Sequence, residues 1–576
     1  MSFSFTSPQK RQLFTEWFCV FVLSISYFFV IGFAMSKSLW YDELFTWNIA
    51  RLSPARIWQS LGQGVDLNPP LIYYATKVSS SFFGDGNWGT RLPSASALWI
   101  TGLAIYGFVR RRASAWTALG AALLPLAGGI YIWGVEARPY ALMVASCALA
   151  FFFWQKSVET SSVETSSVET LNAETSNIEY SNDAAKRNSG FWWPVLLALA
   201  LAMGISSHYY AIFIWVPLFI GEVVRSFERR KIAWPIWAAF VVGLLPLFFY
   251  LPLIESSRPY MSTFWSKSVP REDIVQFYRA FLKPAMLPFA ITMGVLAFRT
   301  ALVARNRKRD GSQNPRSPLR ITTSDVQNNE SSRIPRYEMA ACVALAFVPV
   351  MATFFALFTQ RGYTLRYAAI GTVGCYLVLS LLVSLGEKKW KNLGKVFAIA
   401  VVFGFFMTQV DYLQGMRAVS AQGLAPFPLL SRAANIEKNL PLVIDSPVRF
   451  MAAWHHGSPP LRKRLRYLTD TALSTRFVGN DTNDRAMATL RHWAPIRVTD
   501  FSEFKRQRRA FLLYDSGEGM RWLKPKELRS LGAKTSLLTR RGNEALYIVS
   551  WSIQKTTMQK TTAQKLPARN VKKSLP

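Results

Sequence analysis

The sequence predicts an all-α polytopic membrane domain of about eleven transmembrane helices, followed by a small extracytoplasmic α/β domain. Three observations carry this. Apolar runs of about 20 residues, long enough to cross a bilayer, recur through residues 1–414. The loops between them alternate between rich and poor in Lys and Arg, and from residue 430 the pattern changes to short strand-length and helix-length segments.

A chain of 576 residues with 51% hydrophobic content, 41 Phe and 20 Trp suits either several soluble domains or one polytopic protein, and segment length decides for the second. The spans fall at roughly 13–35, 92–109, 114–133, 139–155, 191–207, 209–224, 232–254, 285–304, 338–358, 367–386 and 394–414. With Lys10 and Arg11 in the cytoplasm, the same side collects Arg110-Arg111-Arg112, Lys156, Lys186, Arg187, Arg225, Arg229, Arg230, Lys231, the stretch from Arg305 to Arg336, and Lys388, Lys389, Lys391 and Lys395. The N-terminus is therefore expected inside, and the loop 37–91 and everything after 414 outside. Ala34-Met35-Ser36 resembles a signal cleavage site, but the apolar stretch before it is too long for an ordinary signal segment, so a retained helix is expected.

Cys19, Cys147, Cys342 and Cys375 all fall inside predicted spans, where they read as small packing residues rather than disulfide partners or metal ligands. The net charge of +33 divides in two. Residues 415–576 hold about 29 basic against about 11 acidic side chains, and the remainder belongs largely to cytoplasmic loops. The loop charges follow from insertion topology. Those of the outer domain do not, and they suit anionic lipid headgroups or acidic glycans rather than nucleic acid.

The first outer loop, 37–91, is too long and amphipathic for a mere connector. It opens on Trp40-Tyr41-Asp42-Glu43-Leu44-Phe45-Thr46, which sets two adjacent carboxylates at the membrane surface. Leu44, Trp47, Ile49, Ile57, Trp58 and Leu61 predict short helices lying at the interface. Asn68-Pro69-Pro70-Leu71-Ile72-Tyr73-Tyr74 and the turn Gly84-Asp85-Gly86-Asn87 follow, and the chain re-enters the membrane at Arg91-Leu92-Pro93. A second outer turn brings Glu136 and Arg138 to the same face, where a local ion pair is the plain alternative to a functional role.

Residues 156–190 carry a pentad repeat of SVETS type with no core-forming period, and read as a solvated cytoplasmic insertion. Ser206-Ser207-His208-Tyr209-Tyr210 returns to the outer face, and there a lone His among aromatics reads either as an interfacial side chain or as a ligand. Residues 255–284, with Trp265, Arg271, Glu272, Asp273 and Arg279, form a lid or a connector, and 305–336 is a basic polar loop. Gln360-Arg361-Gly362-Tyr363-Thr364-Leu365-Arg366-Tyr367 adds two cations outside. Within 430–553, Leu440–Asp445 and Ala510–Asp515 predict strands, Phe450–His455 and Met520–Leu531 helices, and Ser536–Leu538 with Ala545–Trp551 a hairpin. His455-His456 lacks the spaced partners of a metal site. The tail 556–576, basic and rich in Lys, Thr and Gln, is expected to be disordered.

Adjacent carboxylates, several Arg, one His and many aromatic rings on one face are the parts needed to take a proton from an acceptor hydroxyl and to hold a phosphate leaving group. In their order along the chain, WYDELFT, NPPLIYY, FFGDGNWGTRLPSA, YIWGVEARPYAL, HYYAIF and Leu365-Arg366-Tyr367 resemble the GT-C-type integral-membrane glycosyltransferases, in the branch of protein mannosyltransferases and lipid A aminoarabinose transferases. The resemblance implies a GT-C-like fold and an inverting enzyme. It would take a sugar from a polyprenyl-phosphate carrier and pass it to an acceptor hydroxyl or phosphate group of a lipid, glycan or protein at the cell membrane. It places catalysis on Asp42, with Glu43 beside it, and assigns Arg138 and Arg366 to the departing phosphate, with His208 and Tyr209 as secondary donor contacts. Glu136, which would orient Arg138, and Asn68 and Tyr74 are supporting residues.

One departure matters. Many relatives have His where this chain has Asn68, and an amide cannot serve as acid or base near neutral pH. Some branches use a divalent cation and others do not, so the metal stays open. Other classes of function make different demands: a transporter or flippase expects ionisable groups at the bilayer midplane and internal repeats, and a binding scaffold expects Asp42 to be dispensable. A nucleotide-sugar enzyme needs a cytoplasmic domain that the short inner loops do not supply.

Overall fold

The computed structural model describes residues 8–35, 37–171, 180–261, 263, 272–309, 334–359, 363–420, 428–433, 435–519 and 521–551. The expected Trp265, Arg271 and Arg361, most of the 305–336 loop and the tail 556–576 lie outside these residues. Helix α1 (Pro8–Met35) is followed by three short helices of the first loop, α2 (Tyr41–Ala50), α3 (Pro54–Gly62) and α4 (Leu71–Phe83). Then come α5 (Asn87–Arg110), α6 (Ala115–Ala127), α7 (Tyr131–Gly134), α8 (Tyr140–Leu171), α9 (Tyr180–Ser207), a 3-10 turn over Tyr209–Ile214, and α10 (Trp215–Arg229). The pentad insertion thus extends α8 as far as Leu171.

Among the described residues five helices are long and apolar enough to cross a membrane, among them Asn87–Arg110, Tyr140–Thr160 and Lys283–Arg305. Two further apolar pairs are bent, by 55° between Trp234–Phe249 and Leu251–Tyr260 and by 48° between Arg336–Ala346 and Val348–Thr359. The sequence predicts both as continuous spans. Tyr250 and Phe347, where the helices break, each stand two positions before a proline, Pro252 and Pro349, whose missing N–H removes a helical hydrogen bond. Four shorter apolar helices complete the set. The arrangement is multi-pass, and a count of about eleven spans stays a proposal. Large apolar side chains such as Phe21, Phe298 and Phe406 stand exposed on these helices, which suits a lipid surround. All four cysteines are buried and free.

The C-terminal α/β domain is a six-stranded sheet of order β3-β2-β1-β4-β6-β5. Strands β1 (Leu442–Ile444), β2 (Leu465–Thr469), β3 (Val498–Asp500) and β4 (Ala510–Asp515) are parallel, and the hairpin β5 (Ala533–Arg541) and β6 (Glu544–Trp551) adds antiparallel to β4. One sheet face packs, through Phe450, Met451, Met487 and Leu490, into a core shared with Leu44, Ile57, Leu61 and Ile72 of the first loop. That loop is therefore the layer between the membrane helices and the α/β domain: α2 is largely buried in it, while α3 and α4 each bury one face.

Candidate active site

Trp40 caps α2, so Asp42 and Glu43 occupy its first turn, where the helix dipole favours carboxylates. Successive helical residues point about 100° apart, and this separates the two carboxylates. Glu43 turns inward and is fully buried. It receives Arg91 Nε and Nη2, both at 2.6 Å, the Ala137 N–H at 2.9 Å, and the N–H of Trp40 at 3.2 Å, the return half of a capping box. Arg91 Nη2 also donates to the Ser38 carbonyl at 3.1 Å. The expectation that Glu43 shares the chemistry is corrected by this geometry: its oxygens are spent on holding segments 38–43, 91 and 137 together.

Asp42 points the other way, into a cavity of about 480 Å³. Its Oδ2 lies 3.4 Å from Arg366 Nη1 and 3.9 Å from Arg138 Nε. Arg138 Nη1 donates to Asp66 Oδ2 at 2.8 Å and to the Asp42 carbonyl at 3.3 Å. Asp66 is the principal residue that sequence reasoning missed, although it stands two positions before the Asn68-Pro69-Pro70 motif. Gly64, at φ 75°, turns the chain out of α3 to place it, and a Cβ there would press on the Ser256 carbonyl at 3.2 Å. Asp66 Oδ1 accepts from the Leu67 N–H at 2.7 Å and from Asn68 Nδ2 at 2.9 Å. Asn68 thus serves as a neutral donor that braces Asp66, which an amide does at any pH.

Burial alone would raise the Asp66 pKa, but the charge and hydrogen bond of Arg138 hold it below the ordinary carboxylate value. Burial likewise works against the Arg138 cation, and Asp66 and Asp42 more than compensate, so the guanidinium stays charged. The orienting role expected of Glu136 therefore falls to Asp66. The Glu136 carbonyl accepts the Arg138 backbone N–H at 2.7 Å, while burial pushes its carboxyl pKa up to about 7.

Arg366, on a 3-10 turn over Leu365–Ala368, lies with its guanidinium 5.1 Å from the centre of the Tyr140 ring. His208 packs between Tyr140 (5.6 Å between ring centres) and Tyr367 (4.8 Å), and its Nδ1 accepts the Tyr210 N–H at 3.2 Å, which leaves the ring proton on Nε2. Burial, then the charges of Arg366 and Arg138, lower its pKa to about 3, so it faces the cavity as a neutral imidazole. Tyr209 also lines the cavity. Tyr74 does not: its hydroxyl donates to the Pro54 carbonyl at 3.2 Å and braces α3 against α4. A further group that the sequence did not foretell comes from the α/β domain, where Thr482, Asn483 and Ala486 form part of the cavity wall. Asn483 Oδ1 accepts from the Tyr41 hydroxyl at 3.4 Å. His455 and His456 are apart from this site, packed on Trp47 and on the Leu39 carbonyl.

Two donors of cavity-lining residues are unspent: Arg138 Nε and Arg366 Nε are buried behind the cavity surface without hydrogen-bond partners. Such groups are costly unless something binds them, and two guanidiniums sharing one carboxylate suit an incoming anion. The donor set does not suit a divalent cation. Asp42 and Asp66 each face guanidinium, and among the described residues no three His, Cys, Asp or Glu side chains converge.

Residues 67–166 match the family model of dolichyl-phosphate-mannose-protein mannosyltransferase. Among curated proteins no sequence matches the chain. Among solved structures, ArnT from Cupriavidus metallidurans in the apo state superposes with a TM-score of 0.53 at 12% identity, covering 92% of this chain and 97% of that one. The same protein bound to undecaprenyl phosphate gives 0.51 at 13% identity, with the same coverage. The chain thus has the fold of ArnT and, over residues 67–166, the sequence pattern of the protein mannosyltransferase family, which bears out its resemblance to the GT-C-type membrane glycosyltransferases that use polyprenyl-phosphate donors.

Proposed function

We propose that the chain is an inverting glycosyltransferase that moves a sugar from a polyprenyl-phosphate carrier to an extracytoplasmic acceptor on a lipid, glycan or protein. The observation that carries this is the pair of unspent guanidinium donors, Arg138 Nε and Arg366 Nε, on either side of the Asp42 carboxylate. The occurrence of undecaprenyl phosphate in the ArnT structure of the same fold supports a lipid-linked donor here. The excess of Lys and Arg in alternate loops supports a cytoplasmic N-terminus, with the site on the opposite face.

In this reading the donor phosphate enters between Arg138 and Arg366 and draws both guanidiniums from Asp42. With both guanidiniums turned to the phosphate, the Asp42 oxygens are open to the acceptor hydroxyl. The carboxylate takes the proton of that hydroxyl as its oxygen bonds to the anomeric carbon. The carbon–phosphate oxygen bond breaks on the opposite face, its electron pair leaving with the polyprenyl phosphate, whose growing charge the two arginines stabilise. Backside attack gives inversion. Neutral His208 can donate Nε2–H to a sugar or phosphate oxygen, and the rings of Tyr140, Tyr209 and Tyr367 offer faces for sugar and isoprenoid.

The test is transfer from labelled polyprenyl-phosphate sugars to extracted lipids, proteins and cell-wall glycan, in membranes carrying wild type or Asp42→Asn at matched levels. Label that moves with wild type and not with the variant supports the reading, and the labelled fraction names the acceptor. Equal transfer by both removes Asp42 as base.

A further inference from the structure

We propose that the α/β domain supplies the acceptor side of the cavity, with Asn483 positioning the acceptor, and that this side takes an uncharged hydroxyl-bearing group and not a phosphate or carboxylate, a step that rests on the sugar-transfer reading of the same site. The first loop lies between the membrane helices and the α/β domain, so the cavity has a membrane wall and an outer wall. The membrane wall is aromatic. Phe213 packs on Phe355 at 5.5 Å between ring centres, Tyr210 on Tyr367 at 5.0 Å, and the Arg366 guanidinium on Tyr140 at 5.1 Å. An isoprenoid chain and its phosphate belong on that wall, which leaves the outer wall to the acceptor.

The outer wall is formed by the helix Thr482–Leu490, which turns Thr482, Asn483 and Ala486 to the cavity. Its start is tied down on both sides of Asn483. Asp481 accepts from the Thr263 hydroxyl and from Arg485 Nη2, the latter at 2.5 Å, and Thr482 Oγ1 donates to the Thr263 carbonyl at 3.4 Å. Buried Asp484 accepts from the Tyr467 hydroxyl at 2.6 Å, Trp522 Nε1 at 2.7 Å and the Asp470 N–H at 3.0 Å. Asn483 is not spent in this way. Its Oδ1 takes the hydroxyl of Tyr41, the neighbour of Asp42, at 3.4 Å, and among the described residues its Nδ2 has no partner. Ala486, one turn on, is small and leaves room beside the amide. A fixed amide with an open N–H, linked through Tyr41 to the base, is placed to hold an oxygen of the acceptor while the reacting hydroxyl reaches Asp42.

Charge selects the class of acceptor. Among the described residues Arg138 and Arg366 are the two cations that line the cavity, and the donor phosphate claims both. Arg485 is paired with Asp481 and does not line it. With the donor in place, Asp42, Asp66 and the phosphate already stand against two guanidiniums, so a second phosphate or a carboxylate meets like charge with no partner of its own. A neutral hydroxyl meets an amide and a base. Its oxygen bonds to the anomeric carbon, its proton passes to Asp42, and polyprenyl phosphate leaves with the electron pair of the broken bond.

Membranes carrying the full-length protein are given labelled polyprenyl-phosphate sugar, and the donor is then extracted from the labelled acceptor fraction. Label joined to a hydroxyl as a glycoside is expected to survive mild acid and hydroxylamine, which split glycosyl phosphates and glycosyl esters respectively. Release of the label by either treatment overturns the acceptor class. With the purified full-length protein and that acceptor fraction, Asn483→Ala is expected to raise the acceptor KM about three- to tenfold, the loss of one neutral hydrogen bond, with the donor KM and the thermal midpoint as in wild type. If that variant does not fold, Ala486→Leu, which fills the space beside the amide, should raise the acceptor KM in the same way. An unchanged acceptor KM, or a donor KM that rises in its place, overturns the assignment of Asn483 while the sugar-transfer reading stands. No transfer by wild type from any polyprenyl-phosphate sugar overturns that reading, and the acceptor side with it.

Discussion

Glu43 and Arg91 meet through two hydrogen bonds of 2.6 Å, both side chains wholly out of water, and the Glu43 oxygen that takes Arg91 Nε also takes the backbone N–H of Ala137. This pair fixes the start of α2, which carries Asp42, against the residue next to Arg138. Removing one partner leaves a buried charge alone, at a cost of about 3–5 kcal/mol. Arg91→Ala and Glu43→Gln are therefore expected to lower the thermal midpoint of the purified protein and to lose activity along with it. Full activity in Glu43→Gln with an unchanged midpoint would remove the pair from its positioning role.

Asp42 is expected to behave in the opposite way. Its side chain is partly exposed to the cavity and has long contacts, 3.4 and 3.9 Å, to its cations. Asp42→Asn keeps the shape and removes the base, so transfer should fall by roughly 10²–10⁴ with the midpoint unmoved. Loss of stability and activity together would make Asp42 a structural residue like its neighbour.

This division between adjacent carboxylates marks how far the sequence can be read. The long apolar runs, the first-loop motif, Arg138, His208 and Arg366 are legible because span length and motif order are local properties. That Asp42 turns to the cavity and Glu43 to the core depends on where Arg91 packs, 48 residues on. Asp66 was hidden because its partner Arg138 lies 72 positions away, and Glu136 looked the better orienting group by proximity alone. In the α/β domain, β1, β4 and the hairpin carry strong apolar signals. Strand β2 follows a basic run and β3 has three residues, too few for a pattern.

Asp66 gives a prediction with a pH dependence. Its carboxyl pKa is held below 3.8 in the fold, so the unfolded chain binds its proton more readily, and the pair with Arg138 contributes fully above pH 4 and is lost as pH falls below it. Asp66→Asn should therefore lower the midpoint across pH 5–8 and converge on wild type in stronger acid. It should also cut turnover roughly tenfold or more, about 1.4 kcal/mol, since an unanchored Arg138 can close its 3.9 Å gap to Asp42 and occupy the oxygen that would take the acceptor proton. Parallel stability curves down to low pH would count against the Asp66–Arg138 pair as the source.

His208 carries the same sign at higher pH. Its folded pKa is about 3 against 6.5 in the open chain, because burial and the arginines Arg366 and Arg138 disfavour a third positive charge. Below pH 6.5 the unfolded chain takes up a proton that the folded site refuses, and stability declines by about 1.4 kcal/mol per pH unit from this group alone. The contribution is intact above pH 6.5. His208→Asn retains an acceptor for the Tyr210 N–H but has nothing to protonate, so its thermal midpoint should fall less steeply between pH 7 and pH 5 than that of wild type. Transfer, in turn, should show no pH break that the substitution removes, because the imidazole is neutral throughout this range. A wild-type activity limb near pH 6.5 that disappears in His208→Asn would show instead that the imidazole is charged at the site, and would make it a cationic partner of the donor phosphate.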